Sequence, residues 1–257
     1  MDGWVVRGIK TGIKTTRYPE AQETRAGVSP GLPVFGSQSD SESTVDICPT
    51  QALSVIDGGI AVDYRRCIHC FRCVRTGDVA PLAWQSGYEW AANSPVEPDL
   101  GTTMDRKAFA RSLQVLVVDG GDCGACLSEI AQLSNPYYNM HRLGFFITPT
   151  PRIADVLLLV GPVTDQMRVA IKKAYDAMPA PKRVVAAGVC ALSGGVFGPS
   201  FSVGSGAADV VPVDVLVPGC PPPPLALLHG LLVAVQRKPP VAITSPAKLA
   251  EQTEVFR

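Results

Sequence analysis

No apolar run in this sequence approaches the ~18–20 residues that a membrane-spanning helix needs. The longest candidate, Leu225 to Val235, is broken by His229 and Gly230. The opening residues, MDGWVVRGIKTGIK, lack an apolar core followed by a small-residue cleavage site, so no secretory signal is expected. An excess of one charge is missing too. The 23 basic residues face 23 acidic ones, which argues against a nucleic-acid partner held by backbone electrostatics. Neither a G-x-G-x-x-G nor a Walker pattern is present, so the glycine-rich turns are weak evidence for nucleotide phosphate.

What the chain does have is apolar surface and sulfur. Apolar residues make up 46% of the 257 and charged residues only 18%. That leaves surface to hide and suggests a large protein partner. Eight cysteines in a chain read as cytoplasmic are expected to be ligands rather than disulfides.

The chain divides, by composition, into an arm at 1–43, a compact unit at 44–80, a linker at 81–110, a large domain at 111–240 and a tail at 241–257. The arm has little periodicity and is expected to be extended, with Trp4, Val5, Val6 and Ile9 favouring contact with a neighbour over plain disorder. The linker, which includes Trp84, Tyr88 and Trp90, is expected to pack on the large domain.

In the compact unit, Ser54 to Ile56 and Ile60 to Val62 flank Asp57-Gly58-Gly59 and predict a hairpin. Cys67, Cys70 and Cys73 follow, three thiols whose spacing lets a tight loop converge on one cubic cluster. His69, between them, is read as a loop residue and not a ligand. In bacterial-type ferredoxins the Cys-Pro that closes one motif ligates the other motif's cluster. Cys48-Pro49 sits where such an exchanged ligand belongs, so this unit resembles a bacterial-type ferredoxin reduced to one cluster, with Cys48, Cys67, Cys70 and Cys73 as its ligands. The first motif's triple is absent, since residues 26–47 contain no cysteine, and no Cys-Pro follows Cys73. Zinc also accepts four thiolates, but its sites usually pair two Cys-x-x-Cys knuckles, and the triple favours iron–sulfur.

The large domain alternates strands and helices. Val115 to Val118 runs into Asp119-Gly120-Gly121-Asp122, then Cys123, Cys126 and a helix start at Leu127 to Leu133. Ala154 to Val160 predicts a second buried strand. Thr164 or Asp165 is the expected cap of a helix over Gln166 to Met178, which Pro179 and Pro181 end. Arg183 to Ala187 leads to Cys190. Val210 to Val217, interrupted by Pro212, leads to Cys220 and a last helix over Leu225 to Gln236. The expected fold is α/β, a flavodoxin-like doubly wound parallel sheet, preceded by a small α+β ferredoxin-like domain. Cys123, Cys126, Cys190 and Cys220 each fall just past the carboxyl end of a predicted strand, where a doubly wound sheet has its crevice. Four thiolates in one pocket read as a second iron–sulfur cluster. A thioredoxin-type pair at Cys123 and Cys126 would leave Cys190 and Cys220 without a purpose.

The strings VDGGDCGACLSEI, TPRIADVLLLVGPVTDQMR, AAGVCALSGGVFG and VPVDVLVPGCPPPPLALLHGLL carry a resemblance. They look like the small subunit of membrane-associated, complex-I-related [NiFe]-hydrogenases of the formate-hydrogenlyase group, a domain also similar to the cluster-bearing subunit of complex I. The latter typically has two adjacent cysteines at the first ligand position. Cys123-Gly124-Ala125-Cys126 is the hydrogenase form. The opening GWVVRGIKTGIKTTRYP looks like the start of the separate electron-feeding subunit, so the chain resembles a fusion of two subunits. The resemblance implies two [4Fe-4S] clusters, the second facing a [NiFe]-hydrogenase-like or complex-I-like large subunit. It also implies further iron–sulfur and membrane subunits, and a location on the inner face of the cell membrane reached through them. Glu129 matches an acidic position of the family; a proton-path role and a helix-cap or surface role are both open.

Overall fold

A computed structural model of the chain describes residues 3–34, 42–56, 59–76, 83–94 and 112–241. Its elements begin with helix α1 (Trp4–Thr11), strand β1 (Leu32–Val34), helix α2 (Glu42–Asp46), strands β2 (Leu53–Ile56) and β3 (Gly59–Val62), helix α3 (Arg72–Thr76) and strands β4 (Ala83–Gln85) and β5 (Ala92–Asn93). The larger part follows as β6 (Leu113–Asp119), α4 (Ala125–Gln132), β7 (Phe145–Ile147), β8 (Val156–Val160), α5 (Asp165–Ala177), β9 (Arg183–Ala187), α6 (Val189–Ser193), β10 (Val215–Val217) and α7 (Pro224–Ala234).

The central sheet has six strands in the order β5-β10-β9-β8-β6-β7. All neighbours are parallel except β5, which runs antiparallel on β10. Counting the parallel strands along the chain, the order is 2-1-3-4-5, the flavodoxin-like doubly wound arrangement. The chain steps one way from β6 to β7 and the other way from β8 to β9. Right-handed crossovers therefore put α4 and α5 on opposite faces.

β8 and β9 are buried at every position, as strands covered on both faces must be. Helix α7 is buried along its whole length and packs on β9 and β10. Gly230 permits that approach, because a Cβ there would overlap the Val217 side chain.

Several elements depart from the sequence reading. Residues 4–11, inside the stretch expected to be extended, are helical. The first proline comes only at Pro19, and the run ends at Gly12, which has φ +66°. The expected linker contributes β4, paired with β1, and β5 on the sheet edge. Residues 95–111 and the turn residues Asp57 and Gly58 lie outside the described residues, as does the tail beyond 241. The strand expected at Val210 to Val217 is confined to Val215–Val217, because Pro212 brings no N–H to the ladder. Thr164 is the cap residue of α5 by position, yet its hydroxyl makes no capping bond; its carbonyl accepts from Met167 and Arg168 instead.

The outer side of α7 is closed by residues 88–91 and 238–241, with His229 as the joint. Its Nδ1 accepts from the Ala91 N–H (3.2 Å) and its Nε2 lies 3.2 Å from the Pro239 carbonyl, which it donates to. Lys238 pairs with Glu89 at 2.8 Å alongside. Burial holds the His229 imidazole below the usual histidine range, with Glu89 opposing. The unfolded chain therefore takes up this proton first. The stability His229 contributes is complete above about pH 6.5 and is lost as pH falls below it, by up to about 1.4 kcal/mol per pH unit. Denaturant melts between pH 7.5 and 5 are expected to slope less in His229→Gln than in the native protein; equal slopes would remove His229 as a source.

Candidate functional site

The end of β6 is shaped by two carboxylates. Asp119 Oδ1 accepts from the Gly121 N–H (2.8 Å) and from that of Asp122. Asp122 in turn accepts from Gly124 (2.9 Å) and Leu127 (3.2 Å). These bonds fold the chain over Gly124 (φ +92°), leaving Cys123 exposed at the turn and Cys126 buried in the first turn of α4. The loop after β8 interlocks with this one. Gly161 has φ +86°, and a Cβ there would lie 2.7 Å from the Asp122 nitrogen.

β9 and β10 deliver the other two thiols. Gly188 donates to the Val217 carbonyl (2.9 Å) and Val189 to the Gly219 carbonyl (3.0 Å), which splices the two strand ends together. Cys190 sits in α6 immediately after β9, and Cys220 follows Gly219 after β10. Sulfur fills the places where ordinary residues would carry side chains. A Cβ on Gly188 would stand 2.7 Å from Cys126 Sγ, and one on Gly195 would stand 2.7 Å from Cys190 Sγ.

The four thiols sense one another. Burial first, then Asp122, Cys190, Cys220 and Cys123, pushes the Cys126 thiol far up. Cys190 is pushed up to about 11 by burial, then by Cys220, Cys123 and Asp122. Cys220 rises by burial, then through Cys123 and Asp122. Thiolates crowded in this way need positive charge among them. The three loops thus bring Cys123, Cys126, Cys190 and Cys220 together above the sheet. Asp122, which shapes the turn and faces the sulfurs, was not singled out from the sequence.

The second quartet is local. Cys48 follows α2, and its Sγ accepts from the Ala52 N–H at 3.2 Å. Cys67 and Cys70 lie in the loop before α3 and Cys73 in its first turn, with His69 and Phe71 at φ +53° and +60°. A small cavity is lined by Cys48, Cys67, Cys70 and Cys73 together with Leu53 and Phe71. Cys67 is pushed up to about 12 by burial, with Cys73, Cys48 and Cys70 adding to it. His69 is held down to about 4 by burial and meets Trp90 edge to face at 6.2 Å. A direct bond joins the two quartets' segments: Ser193, three residues beyond Cys190, donates from Oγ to the carbonyl of Arg65, two residues before Cys67 (2.8 Å).

Among the described residues no three Cys, His, Asp or Glu side chains are grouped as ligands of one metal ion. A single zinc ion needs its thiolates within about 2.3 Å of one centre. Four thiols around one small cavity, and four more carried by three loops with Gly188 and Gly195 backed by sulfur, are donor sets that suit a larger thiolate-bound inorganic group such as an iron–sulfur cluster.

A family model described as the NADH ubiquinone oxidoreductase, 20 Kd subunit, matches residues 123–234, so the match begins at Cys123. The chain is 45% identical over 122 residues to the uncharacterized protein MJ0516 of Methanocaldococcus jannaschii, covering 48% of this chain and 82% of that protein. It is 41% identical over 131 residues to the "probable membrane-bound hydrogenase subunit mbhJ" of Pyrococcus furiosus, covering 51% and 78%. It is 41% identical over 129 residues to formate hydrogenlyase subunit 7 of Escherichia coli, covering 50% and 51%.

Proposed function

The chain belongs to the family of the NADH ubiquinone oxidoreductase 20 Kd subunit, and from that premise we propose that it is an iron–sulfur electron-transfer subunit of a membrane-associated, formate-hydrogenlyase-like [NiFe]-hydrogenase complex. Cys123, Cys126, Cys190 and Cys220 would hold one [4Fe-4S] group, and Cys48, Cys67, Cys70 and Cys73 the other. When bound, these groups supply one-electron transfer in series. The observation that carries the reading is the meeting of four thiols from three distant loops over the strand ends, in a setting where burial disfavours free thiolates.

The chain's own residues hold and insulate. Asp122 fixes the turn that presents Cys123 and Cys126. Gly188 and Gly195 keep the backbone close against sulfur, and α7, which follows the Cys220 loop, packs on β9, β10 and α4. The Ser193–Arg65 bond ties the entry of one quartet to the exit of the other. No cysteine is left over for a nickel site, so hydrogen chemistry belongs to a large partner subunit. Location on the inner face of the cell membrane follows from the partners in this reading. Among the described residues no helix is long and apolar enough to cross a membrane.

The kinship with the NADH ubiquinone oxidoreductase 20 Kd subunit favours a second reading, a complex-I-like quinone- or ferredoxin-linked oxidoreductase without nickel. The co-purifying large subunit discriminates, since paired cysteines near both of its ends mean hydrogenase.

Anaerobically purified chain is expected to carry about eight irons, to give reducible EPR signals and to evolve no hydrogen. Colourless, zinc-loaded protein would refute the cluster assignment, and hydrogen evolution by the pure chain would refute the division of labour.

A further inference from the structure

The element that the proposed function leaves unused is α1. Every one of its residues is exposed, with Trp4 at 85% and Ile9 at 77%, and Ile13 beyond it reaches 91%. Around the helix, Trp4, Val5, Gly8 and Ile9 share one side, while Arg7, Lys10 and Thr11 share the other. Lys14 and Arg17 continue the positive charge, and no acidic residue occurs from Gly3 to Pro19.

This is not the free end of a loose tail. Immediately after it the chain is clamped to the body of the large domain. Thr15 Oγ1 donates to the Pro136 carbonyl (2.9 Å), the Thr16 N–H to the Tyr137 carbonyl (2.8 Å), and Tyr18 is fully buried. A two-turn helix with bare tryptophan and isoleucine on one side is thus carried close to an anchored point.

We propose that α1 lies on an anionic lipid surface, its Trp4, Val5 and Ile9 face entering the headgroup boundary and Arg7, Lys10 and Lys14 meeting lipid phosphates. Low net hydrophobicity, a cationic side and a tryptophan on the apolar side are the features of a helix that lies in the interface plane. Charge complementarity selects anionic lipid, because each cation adds to the attraction. A protein groove is disfavoured by size: eight residues bury far less than a stable protein interface needs. The chain would then touch the membrane itself, beyond any attachment its partners provide.

Sedimentation of the cluster-loaded full chain with lipid vesicles tests this. Binding is expected to vesicles of mixed phosphatidylcholine and phosphatidylglycerol, with little to phosphatidylcholine alone and release by salt. Trp4→Ser with Ile9→Ser, and separately Lys10→Glu with Lys14→Glu, are each expected to weaken binding at least about tenfold with iron content unchanged. None of these side chains is buried, so the fold is untouched. The proposal is overturned if the variants bind as the native chain does, if mixed vesicles fail to bind it, or if only vesicles carrying the complex's membrane subunits capture it. Vesicle binding and iron content are separate readouts, so loss of one leaves the other's interpretation intact.

Discussion

Replacing Cys126 by alanine is expected to lower bound iron from about eight atoms per chain to about four. The EPR signal of the Cys48, Cys67, Cys70 and Cys73 site should survive. Cys126 is the best enclosed of the eight thiols, only 6% exposed, and it sits where α4, the Gly188 turn and the Cys190 and Cys220 loops converge. No neighbouring side chain offers sulfur in its place. The reciprocal change, Cys73→Ala, should remove the other four irons and spare the first signal. Together the two variants separate two quartets from one shared centre. If Cys126→Ala keeps all its iron, the thiol is a packed core residue and the assembled quartet is wrong. The Cys126 variant should also melt earlier, because a group bound to three loops contributes its binding energy to holding their strands together. Cys73→Ala, acting on a local loop, should leave the melting of the sheet little changed.

Much of this arrangement could be read from sequence, because the informative features are local. An unbroken apolar run such as Val156–Val160 declares a strand covered on both faces, and a cysteine a few residues beyond such a run declares a place in the crevice. The shorter features gave no such signal. β7 is three residues long, with Phe146 and Ile147 partly exposed, and its pairing with β6 is decided by the sheet and not by the segment. β5 is two residues in a stretch rich in glycine and proline, and it becomes a strand only because Val215 and Leu216 offer an open edge. The role of Asp122 was equally hidden. Nothing in a lone acidic residue before a cysteine says that its carboxylate collects two N–H groups and closes the turn. Gly188 and Gly195 combine a left-handed backbone (φ +86° and +59°) with a sulfur that a Cβ would strike, and neither demand can be read from the local sequence.

Asp214→Ala is expected to cost about 3–5 kcal/mol, the range for removing one partner of a buried ion pair. Asp214 Oδ1 meets Arg183 Nη1 at 3.0 Å, and its Oδ2 accepts from the Val184 N–H at 2.7 Å. Its backbone joins β9 and β5 as well, through Val184 and Ser94. Arg183 is only 5% exposed, so the variant leaves its guanidinium buried without this carboxylate. The pair sits at the amino ends of the strands whose carboxyl ends carry Cys190 and Cys220. It therefore holds the register on which the sulfur quartet depends without touching it. Denaturant melts of the native and variant chains measure the cost, and a loss below about 1 kcal/mol would assign the register to packing alone. Arg183→Met combined with Asp214→Leu should recover most of the loss, because apolar groups of similar volume replace a buried pair at little cost. The pH dependence separates this device from the one at α7. Burial raises the Asp214 carboxyl above its ordinary value, against the pull of Arg183. The folded chain thus binds that proton more readily than the unfolded chain, and protonation of Asp214 on acidification favours the native state. Acid sensitivity between pH 7 and 5 then belongs to the two histidines that burial holds down, His229 and His69, and it should persist unchanged in the Arg183→Met, Asp214→Leu chain.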